Sequence, residues 1–129
     1  MKIALAQINI AWENPKENLI KCEKFIRNAS EKKADLIIFP EMALTGFTMN
    51  INSLKLKEEF ILEWAKRKAF ENNINISLGY GIKCGEKGKN KFCIVSPKNT
   101  ILGINKKIHP FSYSKEDEKF YKGNEIISC

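Results

Sequence analysis

The sequence predicts an α/β protein in which helices pack on a layered sheet. Two stretches have the periodicity of amphipathic helices, residues 14–33 and 54–73. Five short stretches are apolar or alternate as strands do, at residues 2–8, 34–39, 74–82, 91–97 and 100–108. Because helices alternate with the early strands, we expect the element order β-α-β-α-β-β-β.

The first helix has the clearest start signal. Asn14 is a suitable N-cap, Pro15 fits the first helical position, and Glu17 stands where a capping box needs an acidic residue. The face expected to pack in the core consists of Leu19, Cys22, Ile26 and Ala29.

The next elements are defined by apolar patterning. Residues 2–8 alternate and predict a buried strand, whereas 34–39 form a continuous apolar run, typical of a parallel strand covered on both faces. In the second helix, the expected apolar surface consists of the stripe Leu56, Phe60, Trp64 and the neighbouring Ile61, Ala65 and Ala69.

The second half of the chain predicts a hairpin. A glycine- and lysine-rich turn at 84–90 precedes the strands 91–97 and 100–108, which are joined by Lys98 and Asn99. Beyond residue 108 the pattern weakens to a long loop, and residues 125–129 have the character of a strand that is just beginning.

Composition indicates one soluble domain. The chain has 129 residues, enough for a single core, and no apolar run approaches the roughly 20 residues of a membrane helix. No secretory leader is recognisable, so we expect a cytoplasmic protein without a membrane partner. The net charge is +7, and residues 83–122 hold ten lysines against four acids. Nucleic acid is nevertheless an unlikely partner, because aromatic platforms and RNA-binding signatures are missing.

The sequence offers no cofactor or metal motif. The cysteines, Cys22, Cys84, Cys93 and Cys129, form no C-x-x-C pair, and His109 is the single histidine. The segment GYGIKCG fails the dinucleotide pattern because Cys84 stands at the third glycine. We therefore expect neither cofactor nor metal, and with no export signal we expect no disulfide.

Two charged residues stand at the ends of predicted strands. Glu41 follows the apolar run LIIFP, and Lys107 closes ILGINKK. In α/β sheets, ligands gather outside the carboxyl ends of strands. A carboxylate and an ammonium held there can transfer a proton and stabilise a developing oxyanion. By strand alternation, Lys106 should point away from Lys107.

These residues lie in segments that resemble the N-terminal part of nitrilase-superfamily carbon–nitrogen hydrolases. The segments are KIALAQINIAWENPKENL, ADLIIFPEMALTGF, NKFCIVSPKNTILGINKKIHPF and EDEKFYKGNE. They follow the family's order over nearly the whole chain, and KIHPF and YKGNE are closest to the ω-amidase type. The resemblance implies a partial α-β-β-α sandwich, with two helices packed on a mixed sheet, and residues 1–129 as the N-terminal portion of one hydrolase domain.

The resemblance also implies a Glu-Lys-Cys triad that hydrolyses a small amide or nitrile. Glu41 matches the general base and Lys107 the oxyanion-stabilising lysine. Glu116 matches a second family glutamate by its spacing to Gly123, with Glu118 as the alternative. The family's chemistry is attack by a thiolate, formation of an acyl-enzyme with loss of ammonia or amine, and hydrolysis.

The family's nucleophilic cysteine lies on a strand-to-helix elbow beyond the GNE turn, and Cys129 does not match it. We therefore expect the fold to stop before this elbow and the 129-residue product to be inactive alone. Expected partners are the small substrate, a complementing C-terminal polypeptide, and a second copy bound through sheet or helix packing.

One alternative to the hydrolase remains open. The chain could be a non-catalytic binding module that uses its basic C-terminal third. Among the polar residues near the motifs, His109 is expected to pack in a loop, and Asn90 to satisfy backbone groups at a strand start.

Overall fold

A five-stranded mixed sheet forms the centre of the structure, a computed structural model that describes residues 1–128. The strands are β1 (Ile3–Leu5), β2 (Leu36–Ile38), β3 (Asn75–Cys84), β4 (Lys87–Ser96) and β5 (Thr100–Lys106). The helices are α1 (Pro15–Glu31), α2 (Glu58–Asn72) and α3 (Glu116–Lys119), with 3₁₀ turns at Ile51–Ser53 and Ser112–Ser114. The predicted α/β class and the predicted order of the first seven elements are confirmed.

The strands lie in the sheet in chain order. β1 pairs in parallel with β2 and β2 with β3, whereas β4 and β5 add antiparallel strands to β3. Each parallel connection contains one of the two long helices, as a crossover between parallel strands requires. No helix within residues 1–128 has the length and apolarity needed to cross a membrane.

Helix α1 begins as predicted. The side chain of Asn14 accepts a hydrogen bond from the backbone N–H of Glu17, and Pro15 occupies the first turn. Cys22, Ile26 and Ala29 are buried in the core, and Leu19 is partly buried beside them.

Helix α2 packs through a narrower face than predicted. Its buried residues are Ile61, Trp64, Ala65 and Ala69. Phe60, which we expected on the buried stripe, is 49% exposed. The reason is geometric: the line of Ile61, Ala65 and Ala69 faces the sheet, and Phe60 precedes that line by about 100° of helical rotation.

The first two strands are less covered than predicted. β1 is a short edge strand, and Ile3 and Leu5 are 45% and 74% exposed. In β2 only Ile37 is fully buried, while Leu36 and Ile38 are half-buried. Both α1 and α2 pack on one face of the sheet, so the prediction that residues 34–39 are covered on both faces is wrong.

The loops around β4 also differ from expectation. β4 begins at Lys87, because the turn after β3 is tight and Gly85 adopts a left-handed conformation (φ 63°). Residues 125–128 form no strand, which corrects the predicted strand there, and Cys129 lies outside the described residues. Instead, the backbone N–H of Gly123 donates to the carbonyl of Lys107, which draws this segment across the end of β5.

A second small apolar cluster lies on the sheet face opposite α2. Met42, Leu54 and Phe120 are buried together there. They lie over Gly81 and Gly88, where an added Cβ would come within 2.9 Å of the Met42 side chain and 2.6 Å of the Phe120 ring. This cluster supports the loops that carry Glu41 and Glu116.

Candidate active site

The loop that carries Glu41 rests directly on the sheet. At Gly79 of β3, an added Cβ would lie 2.6 Å from the carbonyl oxygen of Pro40 and 2.7 Å from Cα of Glu41. The N–H of Ala43 donates to the carbonyl of Gly79, and Met42 takes a positive φ of 47°. A side chain at position 79 would therefore displace the backbone that holds Glu41.

The same loop is held to α1 by a buried amide. Asn18 is 0% exposed and its side chain donates to the carbonyl oxygens of Ala11 and Leu44. Its side-chain oxygen accepts from the N–H of Ala11. Every hydrogen-bonding group of this side chain is thus used to connect the start of α1 with the turn after Glu41.

Lys107 lies one residue beyond β5, and its backbone N–H donates to the carbonyl of Asn90 on β4. Lys106 pairs with Lys91, whose ammonium bonds Glu58 of α2 on the helix-covered face. Lys107 reaches the opposite face, so the predicted divergence of the two lysines is confirmed.

Glu116 is the least exposed charged residue of the site. It opens α3 and is 0% exposed. Its carboxylate accepts hydrogen bonds from the side chains of Asn90 (2.8 Å) and Lys107 (2.9 Å) and from the backbone N–H of Phe111 (2.6 Å). Glu118 is exposed, so of the two glutamates it is Glu116 that the structure brings to Lys107.

Glu41, Lys107, Glu116 and Asn90 form one connected network. Oε1 of Glu41 accepts from Lys107 (2.7 Å) and from Asn90 (2.5 Å). Within residues 1–128 no hydrogen bond to Oε2 of Glu41 is found, and this side chain is 46% exposed. One oxygen of Glu41 is therefore held in place by two donors, and the other accepts no hydrogen bond from this part of the chain.

Electrostatic interactions and hydrogen bonds keep both Lys107 and Glu116 charged. Burial by itself lowers the pKa of Lys107, but hydrogen bonds from its ammonium to Glu41 and Glu116, and their charges, outweigh it and raise the pKa. For Glu116, burial raises the pKa, but hydrogen bonds donated by Phe111, Lys107 and Asn90 outweigh it and lower the pKa. Lys107 is an ammonium and Glu116 a carboxylate at neutral pH.

These shifts predict how stability changes with pH. Because the folded pKa of Glu116 is below its unfolded value of about 4.3, its contribution is complete above that pH and is lost as pH falls through the folded pKa. Lys107 acts in the opposite direction, since its contribution is lost as pH rises through its raised pKa. We expect the free energy of unfolding, measured with denaturant between pH 2.5 and 7, to fall more steeply toward low pH in the wild type than in Glu116→Gln.

The neighbouring Glu118→Gln is the matched control for that titration. Glu118 is exposed and lies in the same short helix. Its replacement should therefore leave the decrease of the free energy of unfolding at low pH unchanged. If the free energy of unfolding falls equally steeply at low pH in the wild type and in Glu116→Gln, the conclusion that Glu116 is buried and paired with a positive charge is contradicted.

A pocket of about 460 Å³ opens beside the network on the uncovered sheet face. Glu41, Asn90 and Lys107 line its polar side, and Phe92 and Ile94 of β4 contribute apolar surface. The ring of Phe47 lies 5.1 Å from the ammonium nitrogen of Lys107, within cation–π range. The pocket can hold a small molecule with one polar reacting group and a short apolar part.

The cysteines in the described part of the chain do not reach this pocket. Cys22 and Cys93 are buried in the core, and burial raises the pKa of each thiol to about 12. Cys84, half-buried at the end of β3, does not line the pocket. A thiolate nucleophile is therefore absent from the network formed by residues 1–128. These residues also contain no cluster of three acidic, histidine or cysteine side chains that could hold a metal.

Sequence reasoning missed part of this site. Asn90 was expected to satisfy backbone groups, but its side-chain amide donates to both glutamates. His109 was expected to pack in a loop and is exposed instead, at a shallow opening shared with Phe47. No local sequence signal marks Asn90, because its role depends on the observed pairing with Gly81, which places both residues on the face that carries Glu41.

Comparison with known proteins identifies the family. The Carbon-nitrogen hydrolase family matches residues 2–125. The chain is 26% identical to the omega-amidase YafV of Yersinia enterocolitica over 125 residues, covering 97% of this chain and 48% of that protein. It is 27% identical to the 2-oxoglutaramate amidase of Bacillus subtilis (strain 168) over 126 residues, covering 95% and 48%. The chain thus spans about half the length of these relatives.

Solved structures agree on the fold. A mutant of the amidase from Nesterenkonia sp. AN1 superposes with a TM-score of 0.86 at 21% identity, covering 97% of this chain and 49% of that one. The CN-hydrolase superfamily protein XC1258 from Xanthomonas campestris superposes with a TM-score of 0.84 at 20% identity, covering 95% and 46%. The sequence match and the shared α/β fold lead to one conclusion: the chain belongs to the carbon–nitrogen hydrolase family.

Proposed function

We propose that this chain supplies the acid–base part of an amidase-type active site that hydrolyses a small amide of the ω-amidase class. The observation that carries the proposal is the contact of Lys107 with Glu41 and Glu116 at the edge of the pocket. The matched omega-amidases and 2-oxoglutaramate amidase support the substrate class. Structures of the Nesterenkonia amidase with acrylamide and with butyramide also favour a short aliphatic amide.

Glu41 is the proposed general base. Its Oε1 accepts hydrogen bonds from Lys107 and Asn90, which fixes the carboxylate, and no hydrogen bond to Oε2 is found within residues 1–128. A positioned carboxylate of this kind can take the proton of a thiol, and later that of a water molecule. Because Lys107 and Asn90 both donate to Oε1 of Glu41, Oε2 is the oxygen proposed to accept the proton.

Lys107 is the proposed stabiliser of the oxyanion. An ammonium group has three N–H donors, and two of them are used by Glu41 and Glu116. The third can donate to the oxygen that becomes negative when a thiolate attacks the amide carbon. Glu116, which is buried, acts as a positioning residue that keeps the ammonium charged and aimed.

The thiol is the missing component of this proposal. It belongs to the part of the relatives that the chain does not match, which is about half of their length. We therefore propose that the 129-residue polypeptide has no amidase turnover by itself. A second polypeptide, or a continuation of this one, would supply the nucleophile; a cytoplasmic location stays a prediction.

The first test is to read the DNA downstream of codon 129 in all three frames. A segment encoding a strand, a cysteine and a helix would support the proposal, and the polypeptide carrying it should be expressed with or fused to this chain. Ammonia release from short aliphatic amides is the assay. If no frame contains such a segment, neither a continuation of this chain nor an adjacent reading frame supplies the nucleophile, and the proposed split after codon 129 is ruled out.

In the active assembly, Glu41→Gln is expected to lower kcat about 100-fold, within the range for loss of a general base. Glutamine keeps the size of the side chain but cannot take a proton at neutral pH. Glu59→Gln, an exposed change on α2, is the matched control and should leave kcat unchanged. Full turnover by the Glu41 variant would contradict the role given to this carboxylate.

The alternative of a basic binding module receives less support. Two lysines of the basic third are engaged within the chain, Lys91 with Glu58 and Lys107 with two glutamates. This pairing reduces the positive charge available to a polyanion. Steeply salt-dependent binding of nucleic acid by the chain would favour the alternative over the hydrolase.

A further inference from the structure

Asn105 places an amide without a partner in the pocket beside the acid–base network. It lies on β5 opposite Phe92 and lines the pocket of about 460 Å³ together with Glu41 and Lys107. Its side chain is half-buried and forms no hydrogen bond within residues 1–128. A side-chain amide carries two N–H donors and an acceptor oxygen, so Asn105 can bind a polar group of a ligand in this pocket.

The position of Asn105 on the strand sets its distance from the reacting centre. Asn105 and Lys107 are two residues apart, so they share a face of the sheet and their Cα atoms lie about 6.6 Å apart. Phe92 and Ile94 supply apolar surface in the same pocket. With C–C bonds of about 1.5 Å, a chain of about four or five carbons extends from one polar side chain to the other. The pocket therefore fits a short amide that carries a second polar group at its far end.

The charge of the pocket favours an uncharged group at that end. The network has two carboxylates, Glu41 and Glu116, against the single ammonium of Lys107. Lys91 also lines the pocket, but its ammonium is bound to Glu58 at 2.5 Å. Among residues 1–128, no other cation lines this pocket. A carboxylate on the ligand would add to the excess of negative charge, whereas a carboxamide would not.

Given the hydrolase function proposed above, on which this assignment rests, we propose that Asn105 binds the second carboxamide of a short diamide. Such a substrate has a primary amide at each end of a chain of about five carbons. In an amide–amide pair each partner donates one N–H and accepts one, which matches the free donors and acceptor of Asn105. Asn105 is thus a specificity-determining residue that orients the first carboxamide toward Lys107 by holding the second.

The same charge balance limits the reaction to one end of the diamide. The thiol of the missing part forms an acyl-enzyme and is released again by water, so that one C–N bond is broken in total. The water oxygen stays on the carbonyl carbon, and the nitrogen leaves as ammonium with both water hydrogens. The product is a monoamide with a carboxylate. If its remaining amide binds at Lys107, the carboxylate lies at Asn105, where it is disfavoured, so we expect one ammonia per diamide.

The test uses five-carbon amides that differ only at the far end: glutaramide with a carboxamide, valeramide with a methyl group, and glutaric acid monoamide with a carboxylate. Ammonia release is measured in the assembly of this chain with the polypeptide that supplies the thiol. The wild type should have a kcat/KM about tenfold higher for glutaramide than for valeramide, and lowest for the monoamide. At complete conversion, each glutaramide should release one ammonia.

Variants of Asn105 test the assignment of the far-end contact. Asn105→Leu should lower kcat/KM for glutaramide about tenfold and leave that for valeramide within about twofold. Asn105→Lys places a cation at the far end and should make the monoamide the preferred substrate. Asn28→Leu, a change at an exposed position of α1, is the matched control and should leave all three values unchanged. Circular dichroism melting checks that each variant stays folded.

The outcomes separate this assignment from the function on which it rests. Turnover of valeramide without a preference for glutaramide, a preference that survives in Asn105→Leu, or equal losses for both amides in that variant would overturn the role of Asn105 and leave the hydrolase standing. A wild-type preference for the monoamide, or release of two ammonia per glutaramide, would overturn the uncharged far end. No ammonia from any of the three amides would overturn the proposed function and the diamide site with it.

Discussion

Replacing Lys107 with methionine is expected to lower the free energy of unfolding of the chain by about 3 kcal/mol, the lower end for a broken buried ion pair. Methionine keeps much of the apolar stem but removes the charge. Glu116 would then keep a buried negative charge with only Asn90 and the Phe111 N–H as donors. Because Lys107 is 29% exposed, water can recover part of the loss. Urea unfolding at pH 7 measures the effect.

Lys106→Met is the matched control. Lys106 precedes Lys107 directly but pairs with Lys91 on the other face and has no ion pair within residues 1–128. Its replacement should change the free energy of unfolding by less than about 0.5 kcal/mol. In an assembly that has turnover, Lys107→Met should also lower kcat about 1,000-fold, and Lys106→Met should not. Equal effects of the two substitutions on stability would contradict the network described above.

The positions of Glu41 and Lys107 were predictable because each follows a run of residues that is apolar enough to form a strand. Strand ends in α/β sheets converge, so a carboxylate and a lysine at two such ends have a good chance of meeting. The start of α1 was predictable for a local reason, because Asn14, Pro15 and Glu17 satisfy the first turn without help from the rest of the fold.

The pairing register could not be predicted from the pattern alone. The hairpin closes with Ser96 opposite Thr100, and a regular ladder from there would place Asn90 opposite Lys106. An irregularity after Ile94 inserts one extra residue, Leu102, in β5. The shift puts Lys91 opposite Lys106 and brings Asn90 beside Lys107. A one-residue change of register reverses which lysine faces the site.

The burial of Glu116 could not be predicted from the sequence either. Its surroundings in sequence, KEDE, suggest a solvated acidic loop, and nothing local separates Glu116 from Glu118. The difference arises because Phe120 packs under Met42 and Leu54, which turns α3 so that Glu116 points inward. Tertiary packing of one aromatic residue thus decides which acid meets Lys107. The exposure of Phe60 and Leu5 has a similar origin, since it depends on which face the helices cover.

Asn90→Leu is expected to lower the free energy of unfolding by about 3 kcal/mol or more, because two hydrogen bonds to carboxylates are lost, each worth about 1.5–3 kcal/mol. Asn90 is 4% exposed, and its amide is the one donor found for Oε1 of Glu116 within residues 1–128. Leucine has a similar size, so the change removes donors and leaves no large cavity. Urea unfolding at pH 7 again gives the measurement.

Asn105→Leu separates this effect from a general cost of placing leucine on the sheet. Asn105 is half-buried on β5, opposite Phe92, and its side chain forms no hydrogen bond in the described part of the chain. Replacing Asn105 should lower the free energy of unfolding by less than about 0.5 kcal/mol. Asn90→Asp adds a third carboxylate around a single ammonium, so its loss of stability should be largest at pH 7 and smaller at pH 4, where a proton can neutralise one acid. A pH-independent loss for Asn90→Asp, or equal losses for the two leucine variants, would show that Asn90 does not hold the two glutamates together.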